Sequence, residues 1–251
     1  MLRTYDFTRM IGTILNVTGI LVGGIAGLIR RRPLSPASES YFKVLLSVFT
    51  VFYGLRLTWT SLGGTFLEIS KQIFIAIVAL ILGKLSGRAL GLQLLSNRLG
   101  QYARSRIAAT TTRKPATPGD GFTTCALLFC AAPLGILGSI QDGLSLSQYF
   151  YPLAIKALVD GLAAMGFIGI FGWGVLLSAL PVLAVQGTIT LVCAGLLEPF
   201  LLAHNLINPI NTVGGLLVFS VALVMLGLRR IELTDYLPSL IVAPLLSWFW
   251  P

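Results

Sequence analysis

Charged residues are scarce in this chain. Only 11% of its 251 residues are charged, whereas 55% are hydrophobic, and the mean hydropathy is +0.87. A soluble globular domain carries about 25% charged residues, so this composition leaves too little polar material for a solvated surface. It excludes an ordinary soluble protein and predicts an all-α, polytopic membrane protein whose first partner is the lipid bilayer.

Histidine and cysteine are also rare. The chain has one histidine, His204, and three cysteines, Cys125, Cys130 and Cys193, which lie within apolar runs. Neither a zinc spacing nor a disulfide framework is present, so we expect no metal site and no cofactor and interpret the cysteines as packing residues. The sequence shows no Ser/His pair, paired aspartates or zinc motif, and we therefore expect no enzyme activity.

Long apolar runs dominate the rest of the sequence. We predict about eight transmembrane helices in a single integral membrane domain over residues 1–251. The predicted spans are 11–29, 43–60, 72–91, 122–140, 150–170, 174–197, 212–228 and 236–250.

The net charge of +9 is concentrated in clusters between spans. Arg30–Arg32 follow the first span, residues 98–114 contain a second basic cluster, and Arg229–Arg230 follow the seventh span. With eight spans, all three clusters fall on one side, which the positive-inside rule assigns to the cytoplasm, and both termini face outside. No aromatic-rich basic motif accompanies the clusters, so we expect no nucleic-acid partner.

Residues 93–120 form the one sizeable polar segment. Leu92, Leu95, Leu99 and Tyr102 recur at helical intervals, and Arg98, Arg104 and Arg106 lie off that face. This pattern predicts a cytoplasmic basic loop that contains an interfacial amphipathic helix. A solvated connector remains the alternative for the polar residues that follow it.

Two short matches indicate a possible inverted repeat. "GTI" at Gly12–Ile14 recurs at Gly187–Ile189, and "SVFTVFYGLR" resembles "SVALVMLGLR". The matches relate spans one and two to spans six and seven, which cross in opposite directions, as in many secondary transporters. Chance similarity between apolar segments is the alternative.

Two spans carry glycines at four-residue intervals, which places them on one helix face. They are Gly19, Gly23 and Gly27 in the first span, and Gly83, Gly87 and Gly91 in the third. Such faces allow close helix packing within the chain, or alternatively in a homo-oligomer.

Lys156 and Asp160 are the most informative polar residues, because they lie inside the fifth span. A charge at the bilayer centre costs about 2.5–3.5 kcal/mol on insertion scales, and the i, i+4 spacing lets the two side chains pair. The pair is either a structural element or part of a pathway for a solute, proton or ion.

Other polar residues could converge on this pair. Gln186 lies in span six, Asn16 in span one, and Gln141 and Asp142 end span four. Pro133, Gly135 and Gly138 make span four a candidate for a broken or re-entrant helix. An exposed turn is the alternative for Gln141 and Asp142.

The segments "GTILNVTGILVGGIAG", "GILGSIQDGLSLSQYFYPLAIKALVDGLAAMGF", "GVLLSALPVLAVQGTITL" and "YLPSLIVAPLL" resemble the DUF554 family of prokaryotic membrane proteins over nearly the whole chain. The resemblance implies a multi-pass protein of the cytoplasmic (inner) membrane, and family members are sometimes described as transporters. The family pattern carries over to Asn16, Gly23, Gln141, Asp142, Gly143, Lys156, Asp160 and Gln186.

Two functional hypotheses follow. The first is a secondary transporter or channel-like carrier of a small polar solute or ion, with Lys156, Asp160, Gln186, Asn16, Gln141 and Asp142 along its path. The second is a non-transporting scaffold or partner-binding membrane protein in which the Lys/Asp pair is structural.

Overall fold

The part of the chain that the structure describes is almost entirely α-helical, and no strand occurs in it. A computed structural model gives residues 10–30, 35–112, 117–144 and 150–250. Four residues of the basic clusters lie outside these ranges, namely Arg31, Arg32, Arg113 and Lys114. The prediction of an all-α protein is confirmed.

The helices have the following bounds in chain order. They are α1 (Ile11–Arg30), α2 (Pro36–Thr60), α3 (Phe66–Ala89), α4 (Leu92–Thr112), α5 (Pro118–Ala131), α6 (Pro133–Gly143), α7 (Tyr151–Phe171), α8 (Gly174–Leu177), α9 (Ala179–Val192), α10 (Glu198–Ala203), α11 (Ile207–Met225) and α12 (Ser239–Phe249). A π-helical turn, Cys193–Leu197, joins α9 to α10, and a 3-10 turn, Leu233–Tyr236, precedes α12.

Six helical segments among the described residues are long and apolar enough to cross a membrane, or seven if the bent pair α5–α6 is one span. They include the 30-residue segment Gly174–Ala203. The predicted eighth span, 236–250, contains α12, which has only 11 residues. The predicted number of eight spans is therefore not confirmed.

The predicted break in span four is present. The axes of α5 and α6 differ by 59° at Ala132, whose backbone is extended with φ −65° and ψ 125°. Pro133 follows as the first residue of α6. Because a proline disfavours helical geometry in the residue before it, the sequence sets both the end of α5 and the start of α6.

Large apolar side chains remain exposed along the long helices. Ile77, Ile81 and Leu85 of α3 are 50–58% exposed, and they lie at four-residue intervals on one face. In water such a face would be costly, whereas lipid tails cover it without penalty. The exposed apolar faces therefore fit the membrane setting that the composition predicts.

The chain divides into two compact units. Unit 1 takes its described residues from Met1–Glu39 and Ser96–Ala194, and unit 2 from Ser40–Leu95 and Gly195–Pro251. Unit 1 contains α1, α5, α6, α7 and α9, and unit 2 contains α3, α11 and α12. The single membrane domain over residues 1–251 stays a prediction.

Helix α4 covers much of the polar segment 93–120. Tyr102 on the predicted apolar face is 39% exposed. The Arg106 guanidinium lies over its ring, 5.1 Å from the ring centroid. Arg106 also lies 3.5 Å from Asp120 at the start of α5. The cytoplasmic and interfacial placement of this segment stays a prediction.

Candidate functional site

Lys156 and Asp160 form a buried ion pair on α7. The Lys156 ammonium donates a hydrogen bond to the Asp160 carboxylate one turn further along the helix. The two residues are only 2% and 5% exposed, and the Lys156 Nζ lies 5.9 Å from the centroid of the Phe129 ring on α5. The i, i+4 spacing thus produces a neutralised pair that protein encloses in this conformation.

Asn16 of α1 and Gln186 of α9 lie against this pair. The Asn16 Nδ2 donates to the Gln186 Oε1 over 3.1 Å, and the Asn16 side chain also interacts with the Asp160 carboxylate. Both amides are buried. The Asn16 Oδ1 and the Gln186 Nε2 have no hydrogen-bond partner among the described residues, so one acceptor and one donor remain unused beside the ion pair.

Gly135 brings the broken span to the same place. A Cβ at Gly135 would lie 2.8 Å from the Lys156 Cε and 3.1 Å from the Gln186 Nε2. The first distance is shorter than real Cβ contacts and the second is tight, so a side chain at this position would displace the Lys156 and Gln186 side chains. The break before Pro133 and the glycine after it together position α6 at the pair.

Asp142, near the end of α6, caps the start of α1. The backbone N–H groups of Gly12 and Thr13 each donate to the Asp142 carboxylate over 3.2 Å. A helix N-terminus has unpaired N–H groups and a partial positive charge, so a carboxylate there stabilises the helix. Gly12 permits this contact, because a Cβ there would lie 3.0 Å from the Asp142 Cγ.

The exposed-turn alternative for the end of α6 is wrong. Gln141 and Asp142 are 1% and 5% exposed, because α6 packs against α7 and α9. Both polar groups of the Gln141 side-chain amide are buried and have no partner in the described part of the chain. Gln141 is therefore a buried polar residue whose hydrogen-bonding capacity is unused.

Two threonines and a backbone carbonyl extend the polar region between α1, α6 and α9. The Thr13 and Thr190 hydroxyl oxygens lie 3.3 Å apart, and the Thr190 hydroxyl donates to the Ser139 carbonyl over 3.2 Å. Thr190 is not among the site residues predicted from the sequence. Its position four residues after Gln186, on the same face of α9, is the signal that could have found it.

All six residues predicted to line a path lie in unit 1 and are no more than 5% exposed. We name this set the polar cluster. It comprises Asn16, Gln141, Asp142, Lys156, Asp160 and Gln186.

The glycines of the first span lie where α1 packs on α7. A Cβ at Gly19 or Gly23 would overlap the carbonyl oxygen of Ala157 or Gly161, and one at Gly27 would lie 2.7 Å from that of Met165. These glycines therefore allow backbone contact between two helices of unit 1.

The glycines of the third span differ among themselves. Gly83 and Gly87 approach the backbone of Ser239 and Asp235 within unit 2. Gly91 instead has φ +66° and ends the helical run after α3, a conformation that glycine adopts without strain. The homo-oligomer predicted from these faces stays a prediction.

No group of three or more His, Cys, Asp or Glu side chains lies close enough to hold a metal ion in the described ranges. The three cysteines are free thiols, with Cys125 and Cys193 buried and Cys130 half-buried. The chemistry available in the polar cluster is therefore hydrogen bonding and charge pairing by amides, carboxylates and one ammonium group.

Comparisons with known proteins agree with this membrane architecture. The family model described as "Protein of unknown function (DUF554)" matches residues 11–248. The chain is 30% identical over 236 residues to the "Uncharacterized membrane protein YdfK" of Bacillus subtilis (strain 168), covering 94% of each chain. It is 26% identical over 245 residues to the "Uncharacterized protein YqgA" of Escherichia coli (strain K12), covering 96% of this chain and 97% of that one. No solved structure matches.

Proposed function

The chain belongs to the DUF554 family, and we propose that it is a secondary transporter or channel-like carrier of a small polar solute or ion. The path runs through the polar cluster of unit 1. The protein lies in the prokaryotic cytoplasmic membrane, and the proposal includes no catalytic step. Both termini face outside if the short apolar segment Leu233–Phe249 makes an eighth crossing, because seven crossings would put the termini on opposite sides.

The unused hydrogen-bonding capacity in unit 1 carries this proposal. The Asn16 Oδ1, the Gln186 Nε2, both polar atoms of the Gln141 amide and the Thr124 hydroxyl are buried without a partner among the described residues. Leaving one such group unsatisfied costs about 1–3 kcal/mol. A structural ion pair does not need unpaired amides around it. A solute, an ion or a chain of water molecules that passes through does need them, as hydrogen-bond partners along the path.

The break between α5 and α6 supports the same proposal. Discontinuous helices place backbone groups of helix ends at the solute sites of many transporters. Here the first turn of α6 lies at Lys156 and Gln186 through the contact that Gly135 permits. Because Lys156 and Asp160 are almost completely buried, we assign this conformation to a closed state of the transport cycle.

The test is uptake by purified protein in proteoliposomes. Isotope-labelled sodium, potassium, acetate and glycine serve as named probes, with empty liposomes as the background. We expect uptake of at least one probe above background, and Asp160→Asn should reduce it about tenfold or more, because the charge pairing at Lys156 is lost. Uptake unchanged by this substitution would show that the path does not use the pair.

A double variant separates transport from stability. Asp160→Asn alone leaves a buried ammonium without its counter-charge, which costs about 3–5 kcal/mol and can unfold the protein. Lys156→Met combined with Asp160→Asn removes both charges, so we expect a folded, monodisperse protein that does not transport. If this variant folds and still takes up the probe, the pair is structural.

The close contact between Lys156 and Asp160 favours a second candidate function, a membrane scaffold or partner-binding protein with a structural pair. In that case the unmodified protein co-purifies with a partner from its native membrane. The charge-free double variant then retains that partner, because the pair contributes only to the fold.

A further inference from the structure

Unit 2 contains a cavity that the polar cluster does not involve. Its volume is about 250 Å³. It lies where the turn after α2 and the turn before α11 meet the ends of α3 and α12. Its polar lining consists of Ser61, Gln72, Asn205, Asn208, Thr212 and Ser247.

The lining contains amides and hydroxyls but no Asp, Glu, Lys, Arg or His side chain. The remaining wall is small and apolar, formed in part by Ala76 and Ala243, which are 3% and 0% exposed. A charged ligand would find no counter-charge in this lining. The lining therefore selects an uncharged molecule with hydrogen-bonding groups on one side and C–H groups on the other.

Internal hydrogen bonds hold part of this lining in place. The Gln72 amide donates to the Gly63 carbonyl over 2.9 Å and accepts from the Gly63 N–H over 3.1 Å. The Ser61 hydroxyl donates to the Leu57 carbonyl over 2.8 Å, and the Thr212 hydroxyl donates to the Asn208 carbonyl over 2.9 Å. Each of these two hydroxyl protons is already used in a hydrogen bond. The two oxygens therefore keep only their free lone pairs, with which they accept hydrogen bonds from a ligand.

Asn205 and Asn208 supply the complementary donors. Both residues are exposed and line the open side of the cavity, and neither side chain makes a hydrogen bond within the described part of the chain. Asn208 also lies in the first turn of α11, whose preceding residue, Leu206, provides no side-chain cap. The partial positive charge at that helix end favours ligand oxygen atoms.

We propose that this cavity binds a small uncharged polyol. Its hydroxyl groups donate to the Ser61 and Thr212 oxygens and accept from the Asn205 and Asn208 amides, while its carbon atoms contact the two alanines. The site consists only of unit 2 residues and does not depend on transport through the polar cluster.

Thiol labelling in the purified full-length protein tests the proposal. Ser247→Cys places a thiol in the lining, and its reaction rate with N-ethylmaleimide is measured in a background in which Cys125, Cys130 and Cys193 are alanine. Glycerol is the probe, with lactate and protonated ethanolamine as charged molecules of similar size. Protection scales as 1 + [L]/Kd, so glycerol at twice its Kd slows labelling about threefold.

Two controls distinguish binding from a solvent effect. Ser70→Cys places an exposed thiol on α3, and we expect glycerol to leave its rate unchanged. The double variant Ser247→Cys/Ala243→Leu places a larger side chain in the cavity. We expect glycerol not to protect its thiol, while its melting temperature shows that the variant is folded. Equal slowing at both thiols, equal protection by charged and uncharged probes, or no protection by glycerol would overturn the proposal.

Discussion

Two buried aspartates in unit 1 have partners of different kinds. Asp160 pairs with an ammonium group on its own helix, whereas Asp142 accepts hydrogen bonds from the backbone of α1. A contact to a side chain can exchange for a solute when the side chain moves. A contact to the backbone of a helix end is part of the fold, so within the polar cluster we expect Asp142 to act chiefly on stability, whereas the proposed transport depends on Asp160.

Substitutions of Asp142 should therefore act on stability. Asp142→Ala removes both acceptors from the start of α1 and should lower the free energy of unfolding by about 2 kcal/mol. Asp142→Asn retains one acceptor without the charge and should cost about half as much. Thermal unfolding in detergent measures both variants. Glu39→Ala, at an exposed carboxylate of α2, is the control, and an equal effect at the two sites would contradict the cap.

For single residues, the sequence predicts contacts between neighbours in the chain better than contacts between residues far apart in the chain. The Lys156–Asp160 pair follows directly from an i, i+4 spacing on one helix. The cap of α1 by Asp142 does not, because it joins residues 130 positions apart and requires both the helix break before Pro133 and a glycine at position 12. Periodicity within a segment contains no information about such a contact.

At the scale of helices, the packing of α1 on α7 has a defined direction. Gly19, Gly23 and Gly27 meet Ala157, Gly161 and Met165 in ascending order, so the two helices run parallel. Thr13 meets Thr190 and Asn16 meets Gln186, so α1 and α9 run antiparallel. The glycine spacing predicts that a close contact exists, but only the fold shows which helix makes it.

Adding one methyl group at this contact should be costly. In Gly23→Ala the new Cβ overlaps the Gly161 carbonyl oxygen, and such overpacking costs about 1–3 kcal/mol. Gly166→Ala on α7 is the matched control, because nothing lies within 4 Å of a Cβ at that position. It should be neutral or slightly stabilising, since alanine favours a helix. Equal melting temperatures for the two variants would contradict the packing.

The helix directions also bear on the bent pair α5–α6. If α1, α2 and α3 each cross the bilayer, α7 can run parallel to α1 only when the chain between α3 and α7 crosses once more. We therefore infer that the bent pair is a crossing rather than a re-entrant loop. Membrane-impermeant labelling of cysteines placed before α5 and after α6 checks this inference, and labelling of both from one side would contradict it.

At the scale of the whole molecule, apolar run length predicts where most of the long helices lie, with ends that differ by up to seven residues, since one bilayer thickness sets one helix length. It fails at α12, because the 3-10 turn Leu233–Tyr236 and Pro238 precede the helix, which begins only at Ser239 and has 11 residues. The division into two units could not be predicted, because each unit combines helices from distant parts of the chain. The two segments of each proposed repeat pair share a unit, one and six largely in unit 1, and two and seven in unit 2. The inverted repeat itself is not confirmed.

Access to the polar cluster from both sides of the membrane tests the central claim most directly. Asn16→Cys, in the background without native cysteines, buries a thiol at a position that is 0% exposed in the closed conformation. A charged methanethiosulfonate reagent is added to either side of sealed vesicles, and Ser105→Cys in the basic segment reports the cytoplasmic side. If the protein is a carrier that opens alternately to each side, we expect the thiol of Asn16→Cys to react with the reagent from both sides of the membrane, and more slowly than the thiol of Ser105→Cys. A folded Asn16→Cys protein that reacts from neither side would contradict a path through the cluster.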